Sequence, residues 1–398
     1  MHREGKKMGI NFISPGMIGN LLKAMKLMVT EKIVESVRCQ KKACIIFDST
    51  QDYSKREASV LLVRYMEDDG NGELCITERL LEVFTTGETS GAVLTDHVLA
   101  DLQRPYVELE WIVGQCYDGA GNMRGKFSGM ATHIQARCQK AVYIWCHAHR
   151  LNLVVNAVAV CSPDVRNKLG LLKELYVFMT GHKRNGVFRA AQGDTGERVL
   201  QLKRVSTTRW NSSQAAVDTV LSRFSAIMQA LSLLSDSKYD SETITKASGL
   251  RSRLNDFRVI LCMHILRIVY DIIGPASRSL QGIATYLGCA AGLLSDCTRK
   301  FENLRKDAEK HWKTVCADAV DFATAHGVSC QFPAERQRRR KRMDDELSSD
   351  QCLSGQERMK VDTFIVVIDE VIQQMQSRFS EQNVAFMKQM SFFHSCWS

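Results

Sequence analysis

Ala43-Cys44-Ile45-Ile46-Phe47 is a continuous apolar run that ends in Asp48-Ser49-Thr50. The pattern is that of a buried strand whose carboxyl end carries an acid. The same arrangement recurs downstream, where Trp111-Ile112-Val113-Gly114-Gln115-Cys116-Tyr117 leads into Asp118-Gly119. Between the two runs, Ser59 to Glu67 and Glu73 to Phe84 are β-prone and separated by Asp68-Asp69-Gly70-Asn71-Gly72, which predicts a hairpin. After Thr89-Ser90-Gly91, the spacing of Val93, Leu94, Val98, Leu99 and Leu102 is helical up to Pro105. Gly125 to Cys138 reads as a helix and Ala141 to Cys146 as a further strand. The order β-β-β-α-β-α-β predicts a mixed sheet covered on its faces.

Outward from this block the period changes. Upstream, Ile18, Leu21, Leu22, Met25, Met28, Ile33 and Val34 recur at helical spacing behind Ser14-Pro15, so residues 1–42 read as a helical leader or lid. Downstream of residue 150, one stripe runs through Val217, Val220, Phe224, Ile227 and Leu231, and another through Leu250, Leu254, Phe257, Leu261, Ile265 and Ile272. A third runs from Val361 through Phe364, Ile368 and Met375 to Phe379. Residues 43–150 are therefore read as an α/β core and 151–380 as an all-α region. A polar loop is expected near 335–355, and 381–398 reads as a truncated carboxyl-terminal end.

Bulk composition fits this division. The chain has 398 residues with 45% hydrophobic and 24% charged, and only 5 prolines against 25 glycines, so most of it is expected to fold. Leu151 to Val160, the longest nearly apolar run, is too short to span a bilayer, and no apolar signal segment follows the charged start. No membrane partner is expected. The 14 cysteines are scattered singly without a Cys-x-x-Cys pair, which predicts free core thiols in a reducing compartment. A net charge of +9 favours polyanions only weakly, so the distribution of charge carries more information.

Asp48 and Asp118, each after a buried strand, are placed to converge on one crevice of an α/β sheet, where two acids can share a divalent metal. Each also suits a strand-end turn. Gly119, Gly121 and Gly125 lack dinucleotide-fingerprint spacing, and no Asp or Glu occurs from Gly119 through Pro163 to hold a ribose, so close packing is the preferred role of these glycines. That acid-free stretch holds Arg124, Lys126, Arg137, Lys140 and Arg150, a positive face suited to a phosphate backbone or simply a solvated one. Cys146-His147-Ala148-His149 lacks a second ligand pair for zinc and reads as a packed turn. Trp210, after Arg209, suits stacking on a splayed base or anchoring its helix. Arg336 to Arg342 reads as a nuclear-import or nucleic-acid tract, offset by Asp344, Asp345 and Glu346, or as a solvated loop.

Four strings together resemble a family: Phe47-Asp48-Ser-Thr-Gln-Asp52, the stretch Gln115 to Gly129, Cys146-His-Ala-His149-Arg-Leu-Asn-Leu153, and Thr208-Arg209-Trp210. They look like the hAT-type transposase-derived proteins, in the zinc finger MYM-type 1-like branch. The resemblance implies a ribonuclease-H-like mixed sheet interrupted by a large all-α insertion. It implies that Asp48 and Asp118 are the first two acids of a Mg-binding triad, that Cys146 and His149 form a structural Cys-x-x-His motif, and that Trp210 is the insertion-domain tryptophan associated with a flipped base. Arg124, Lys126, Arg150, Arg209 and Trp210 are the expected DNA-binding residues.

The chain departs from the family pattern at several points. The third acid of active relatives lies in a Ser-x-Glu-Arg-x-Phe-Ser-like segment, which Arg378-Phe379-Ser380-Glu381 does not match. Thr207 stands where Asp is usual and Gly121 where Ser is common, and neither the amino-terminal zinc finger nor the dimerisation region is expected in this chain. The resulting expectation is a domesticated or truncated, catalytically inactive protein that retains nucleic-acid binding or protein interaction. It needs no cofactor, with Mg relevant only to residual activity, and is nuclear or otherwise cytoplasmic. Two alternatives remain: a polynucleotidyl transferase fragment completed by another acid such as Glu370 or by a second chain, and a helical interaction protein that pairs with itself or with a relative.

Overall fold

A computed structural model describes residues 14–51, 54, 56–104, 107–193, 198–205, 210–282, 287–332 and 353–380. Two compact units, Met1–Arg150 and Leu151–Ser398, each enclose their own apolar core.

The first unit opens with α1 (Pro15–Gln40), one uninterrupted helix. Ser14 caps it by accepting the Met17 N–H at 3.3 Å, and Lys41 stops it in the left-handed region at φ 50°. Then come β1 (Ala43–Gln51), β2 (Glu57–Asp68), β3 (Leu74–Thr86), α2 (Gly91–Gln103), β4 (Ile112–Tyr117), a single turn α3 (Gly121–Arg124), α4 (Met130–Arg137) and β5 (Val142–Trp145). The sheet order is β3-β2-β1-β4-β5; β1 pairs antiparallel with β2 and parallel with β4, and β4 pairs parallel with β5. This is the mixed sheet of the ribonuclease-H fold.

Local chemistry explains the joints. In the β2–β3 turn Asp68 accepts the N–H groups of Gly70 at 2.8 Å and Gly72 at 3.1 Å, and both glycines adopt positive φ, 88° and 89°. Strand alternation sends Ile45, Phe47, Leu61, Val63 and Tyr117 to one face, where they pack with α1 (Val34, Val37), α2 (Leu94, Val98, Leu102) and α4 (Met130, Ile134) in one cluster. The helix expected over 125–138 is shortened to α4, and the separate turn α3 precedes it. A Cβ on Gly129 would lie 2.3 Å from the Gly125 nitrogen, so the chain doubles back on itself between the two pieces. The expectation that most cysteines are core thiols holds for Cys138, Cys262, Cys297 and Cys316, but Cys39, Cys75 and Cys289 are exposed.

The second unit is helical: α5 (His147–Val158), whose first residues close unit one, then α6 (Pro163–Met179), α7 (His182–Gly193), α8 (Trp210–Ser222), α9 (Phe224–Leu234), α10 (Ser241–Leu254), α11 (Phe257–Leu280), α12 (Leu287–Lys306) and α13 (Ala308–Ala325). Last come α14 (Gly355–Met359), a π turn (Lys360–Ile365) and α15 (Val366–Arg378). Two stripes read as single helices are each broken. Arg223 leaves helical geometry (φ −121°, ψ 24°), bending α8 from α9 by 77°, and Asp256 starts α11 afresh by accepting the Arg258 N–H at 2.9 Å. Apolar periodicity alone does not register such breaks, because both halves bury the same stripe. Helix α11 is long and apolar enough by length and composition to cross a membrane, and 67% of its most apolar stretch is buried inside the unit.

Gly91, the first residue of α2, lies so close to the α3–α4 segment that a Cβ there would meet Ser128 O at 2.4 Å, Met130 N at 2.7 Å and Asn122 O at 2.8 Å. All three are backbone atoms and cannot rotate away. Gly91→Ala is expected to destabilise the first unit by about 1–3 kcal/mol, the usual cost of overpacking, read as a lowered unfolding midpoint in urea.

Candidate nucleic-acid interface at the carboxyl ends of the parallel strands

Because β1, β4 and β5 are mutually parallel in order, their carboxyl ends open on one edge of the sheet. Register pairs Ile46 with Cys116 and Tyr117 with Trp145. Asp118 follows the last residue of β4, whereas Asp48, expected at a strand end, lies inside β1 and pairs with Val60, because β1 runs on beside β2 to Gln51 after its pairing with β4 ends at Ile46. Two residues past the Ile46–Cys116 pair, the two acids lie side by side at roughly 5 Å, the ordinary strand spacing. Asp48 is exposed and Asp118 half-buried. Asp118 is held by its own loop: its Oδ1 accepts the Ala120 N–H at 3.0 Å, and its backbone oxygen accepts the Tyr143 hydroxyl at 2.9 Å. Asp48 accepts the N–H of Ser49 at 3.0 Å.

Cys146 follows on the third strand, its N–H donating to Tyr117 O at 2.9 Å. Its thiol is lowered to about 7: Cys116 hydrogen-bonds to the sulfur, and the N–H groups of His149 and Ala148 in the first turn of α5 add to this, against the burial that raises it. Cys116 is pushed well above its usual value by the same hydrogen bond and then by burial, so it is the donor of the pair. The nearby Asp48 carboxylate opposes ionisation of Cys146, which places that acid in the same cluster. The Cys146 sulfur thus faces the backbone N–H groups of Ala148 and His149 at the start of α5.

Trp145 ends β5 and organises the cationic side. The guanidinium of Arg124 lies 4.4 Å from its ring centroid and that of Arg150 5.0 Å, both within cation–π reach. Gly119 makes room for the ring: a Cβ there would fall 2.4 Å from its carbons. Of the glycines in this loop, Gly119 and Gly125 answer to close packing, whereas Gly121 has open space around it.

The expected site residues are therefore partly gathered. Asp48, Asp118, Arg124, Cys146 and His149 come together, and Lys126 lies on the adjoining loop 5.9 Å from the ring of Phe127. Arg150, expected on the positive surface face, is 6% exposed and braces Trp145 from within, because the first turn of α5 carries it inward. Arg137 and Lys140 are exposed. Arg209, Thr207 and the Arg336–Arg342 tract lie outside the described residues, as do 381–398. Of Trp210 the structure describes only its backbone, as the first residue of α8. Glu370 stands on α15, where Gln374 donates to it at 3.0 Å and its charge raises the Cys161 thiol.

Among the described residues, no group of three or more His, Cys, Asp or Glu side chains is arranged to hold a metal ion. Magnesium asks for hard oxygen donors. Two carboxylates beside a soft thiol fit it poorly. Sequence reasoning passed over Trp145 and Phe127. The latter is 87% exposed beside Lys126, an aromatic face open to solvent. The available signal was the pair of aromatics inside the acid-free basic stretch.

Residues 4–129 match the family described as ZMYM1/FAM200, RNase-like domain. Over 393 residues the chain is 22% identical to the 52 kDa repressor of the inhibitor of the protein kinase of Mus musculus, covering 94% of this chain and 50% of that protein. The Homo sapiens protein of the same name is 21% identical over 386 residues, 94% of this chain and 49% of its own length. The chain thus spans about half the length of these curated relatives.

His147, behind Cys146, is lowered from 6.5 to about 4, first by burial and then by the Arg150 charge. Below pH 6.5 the unfolded chain takes up a proton that the folded one refuses until about 4. The neutral imidazole's contribution is therefore intact above 6.5 and is lost as pH falls towards 4, by roughly 3 kcal/mol in total. Urea unfolding across pH 7 to 4 should fall off less steeply in His147→Gln than in the wild type.

Proposed function

We propose that this chain, whose residues 4–129 carry the ZMYM1/FAM200 RNase-like domain, is a domesticated hAT-transposase-like protein that binds nucleic acid without cutting it. The observation that carries this reading is the arrangement at the strand ends: an arginine seated on Trp145 and flanking lysine and phenylalanine side chains, beside an acid pair that no third carboxylate joins among the described residues. Arg124 offers a planar donor to a phosphate, and Phe127 an open ring to a base. Asp48 and Asp118 are vestigial in this reading, Asp118 kept as the cap of its loop and Asp48 as an exposed residue of β1. Action on nucleic acid, with the basic tract at 336–342, favours a nuclear location.

Titration of the purified chain with single- and double-stranded DNA at two salt concentrations, with Mg²⁺ present and product lengths read from the same samples, tests the reading. Salt-sensitive binding without cleavage is expected. Arg124→Ala should weaken binding and make the slope of log affinity against log salt shallower by about 0.7 to 0.9, the share of one phosphate contact. Trp145→Leu removes no charge yet should produce much of the same change, because Arg124 loses its seat. Cleavage abolished by Asp48→Ala and Asp118→Ala would overturn the proposed inactivity, and an unchanged salt slope in Arg124→Ala would remove this surface from binding.

A further inference from the structure

Helix α1 has two apolar faces, and the fold uses one. Ile33, Val34 and Val37 in its carboxyl-terminal half are buried in the first unit's core. The amino-terminal half carries Ile18, Leu21, Leu22, Met25, Met28 and Val29, all 42 to 70% exposed. At 100° per residue these six fall in one stripe, spaced i, i+3, i+4, i+7, i+10, i+11 and rotated away from the core-facing side. The helix is fixed in this attitude by Lys26, whose ammonium donates to both carboxylate oxygens of Glu82 on β3 at 2.5 and 2.6 Å, leaving the stripe free of the sheet.

We propose that the stripe is the seam of a homodimer, in which α1 of a second copy of this chain packs against α1. The spacing is two heptads with Ile18 and Met25 at a, Leu21 and Met28 at d, and Leu22 and Val29 at e. Of the g positions that flank this seam, Met17 and Ala24 are apolar or small, and Glu31 closes the second heptad. Lys23 and Lys26 fall at f and b, away from the seam, with Lys26 turned to β3, and the first acid of the helix is Glu31. Two copies can therefore close the seam with a single acid, Glu31, at its carboxyl-terminal edge and no lysine along its edges. Each copy offers on the order of 600–700 Å² of apolar surface, near the ~800 Å² per partner of a stable specific interface. That is also above the few hundred Å² that monomeric proteins ordinarily leave exposed in one patch. The inference does not rest on nucleic-acid binding.

Sedimentation velocity of the 398-residue chain from about 1 to 50 μM, in buffer without nucleic acid, is expected to give a dimer. The double substitution Leu22→Glu and Met25→Glu should yield a monomer over the same range with unchanged helical circular dichroism and unfolding midpoint, since neither side chain belongs to the core. Lys23→Glu, on the outer side, should remain dimeric. A wild type that is monomeric at 50 μM would overturn the proposal, whether or not it pellets with anionic phospholipid vesicles, and so would a dimer that survives the double substitution. If the double variant loses helicity, Met25→Lys alone serves as the second test, with an unchanged dimer again overturning the seam.

Discussion

The parallel pairing of β1 with β4, and of β4 with β5, is the constraint on which the rest of the first unit depends. Its phase is set by one irregularity: Ala43 pairs with Ile112, but Cys44 already pairs with Gly114, so β4 accommodates one extra residue. Side chains alternate across a sheet, and a one-residue slip exchanges its faces. The extra residue allows Ala43 and Ile112 both to be buried in the core while, further along, Gln115 and Tyr117 turn towards that core and Cys116 and Asp118 away from it. Had the register run straight, Asp48 and Asp118 would point to opposite faces of the sheet.

With the strand ends fixed, the surrounding chemistry follows from packing more than from ligands. Trp145 fills the space over Gly119 and gathers two guanidinium groups, so positive charge is concentrated beside two carboxylates by an aromatic ring. Cys146 is the single residue between β5 and α5, and its sulfur stands where Ser, Thr, Asp or Asn is the usual cap. The buried Arg150 and the depressed His147 are consequences of the same short connection, since the first turn of α5 carries both inward.

The two units solve burial differently. The second is organised around α11, whose residues from Phe257 to Ser277 are largely buried, with neighbouring helices bent or restarted to cover it. The first has one sheet face to cover and does so with α2, α4 and the carboxyl-terminal half of α1. The other half of that helix carries an exposed apolar stripe the core does not need, and Leu80, Val83 and Phe127 are exposed elsewhere in the unit.

The strands, their order, the hairpin and the change of period near residue 150 were legible in the sequence, because each is written in local alternation, turn residues or helical spacing. The position of Asp118 just past its strand was legible for the same reason, and so was the close packing of Gly119 and Gly125, whereas Asp48 lies inside β1, which continues along β2 to Gln51. What local pattern does not encode is where a regular stripe is cut: the breaks at Arg223 and Asp256 and the doubling back at Gly125–Gly129 arise from contacts between distant segments. Nor does it encode depth. Arg150 reads as one more surface cation until α5 turns it inward, Trp145 reads as a strand aromatic until two arginines close on it, and the apolar residues of α1 read as one helical leader until the sheet takes only Ile33, Val34 and Val37 into the core. Sequence determined which residues could form the layers; only the tertiary structure decided which faces were left over, because burial is a property of what arrives opposite each side chain.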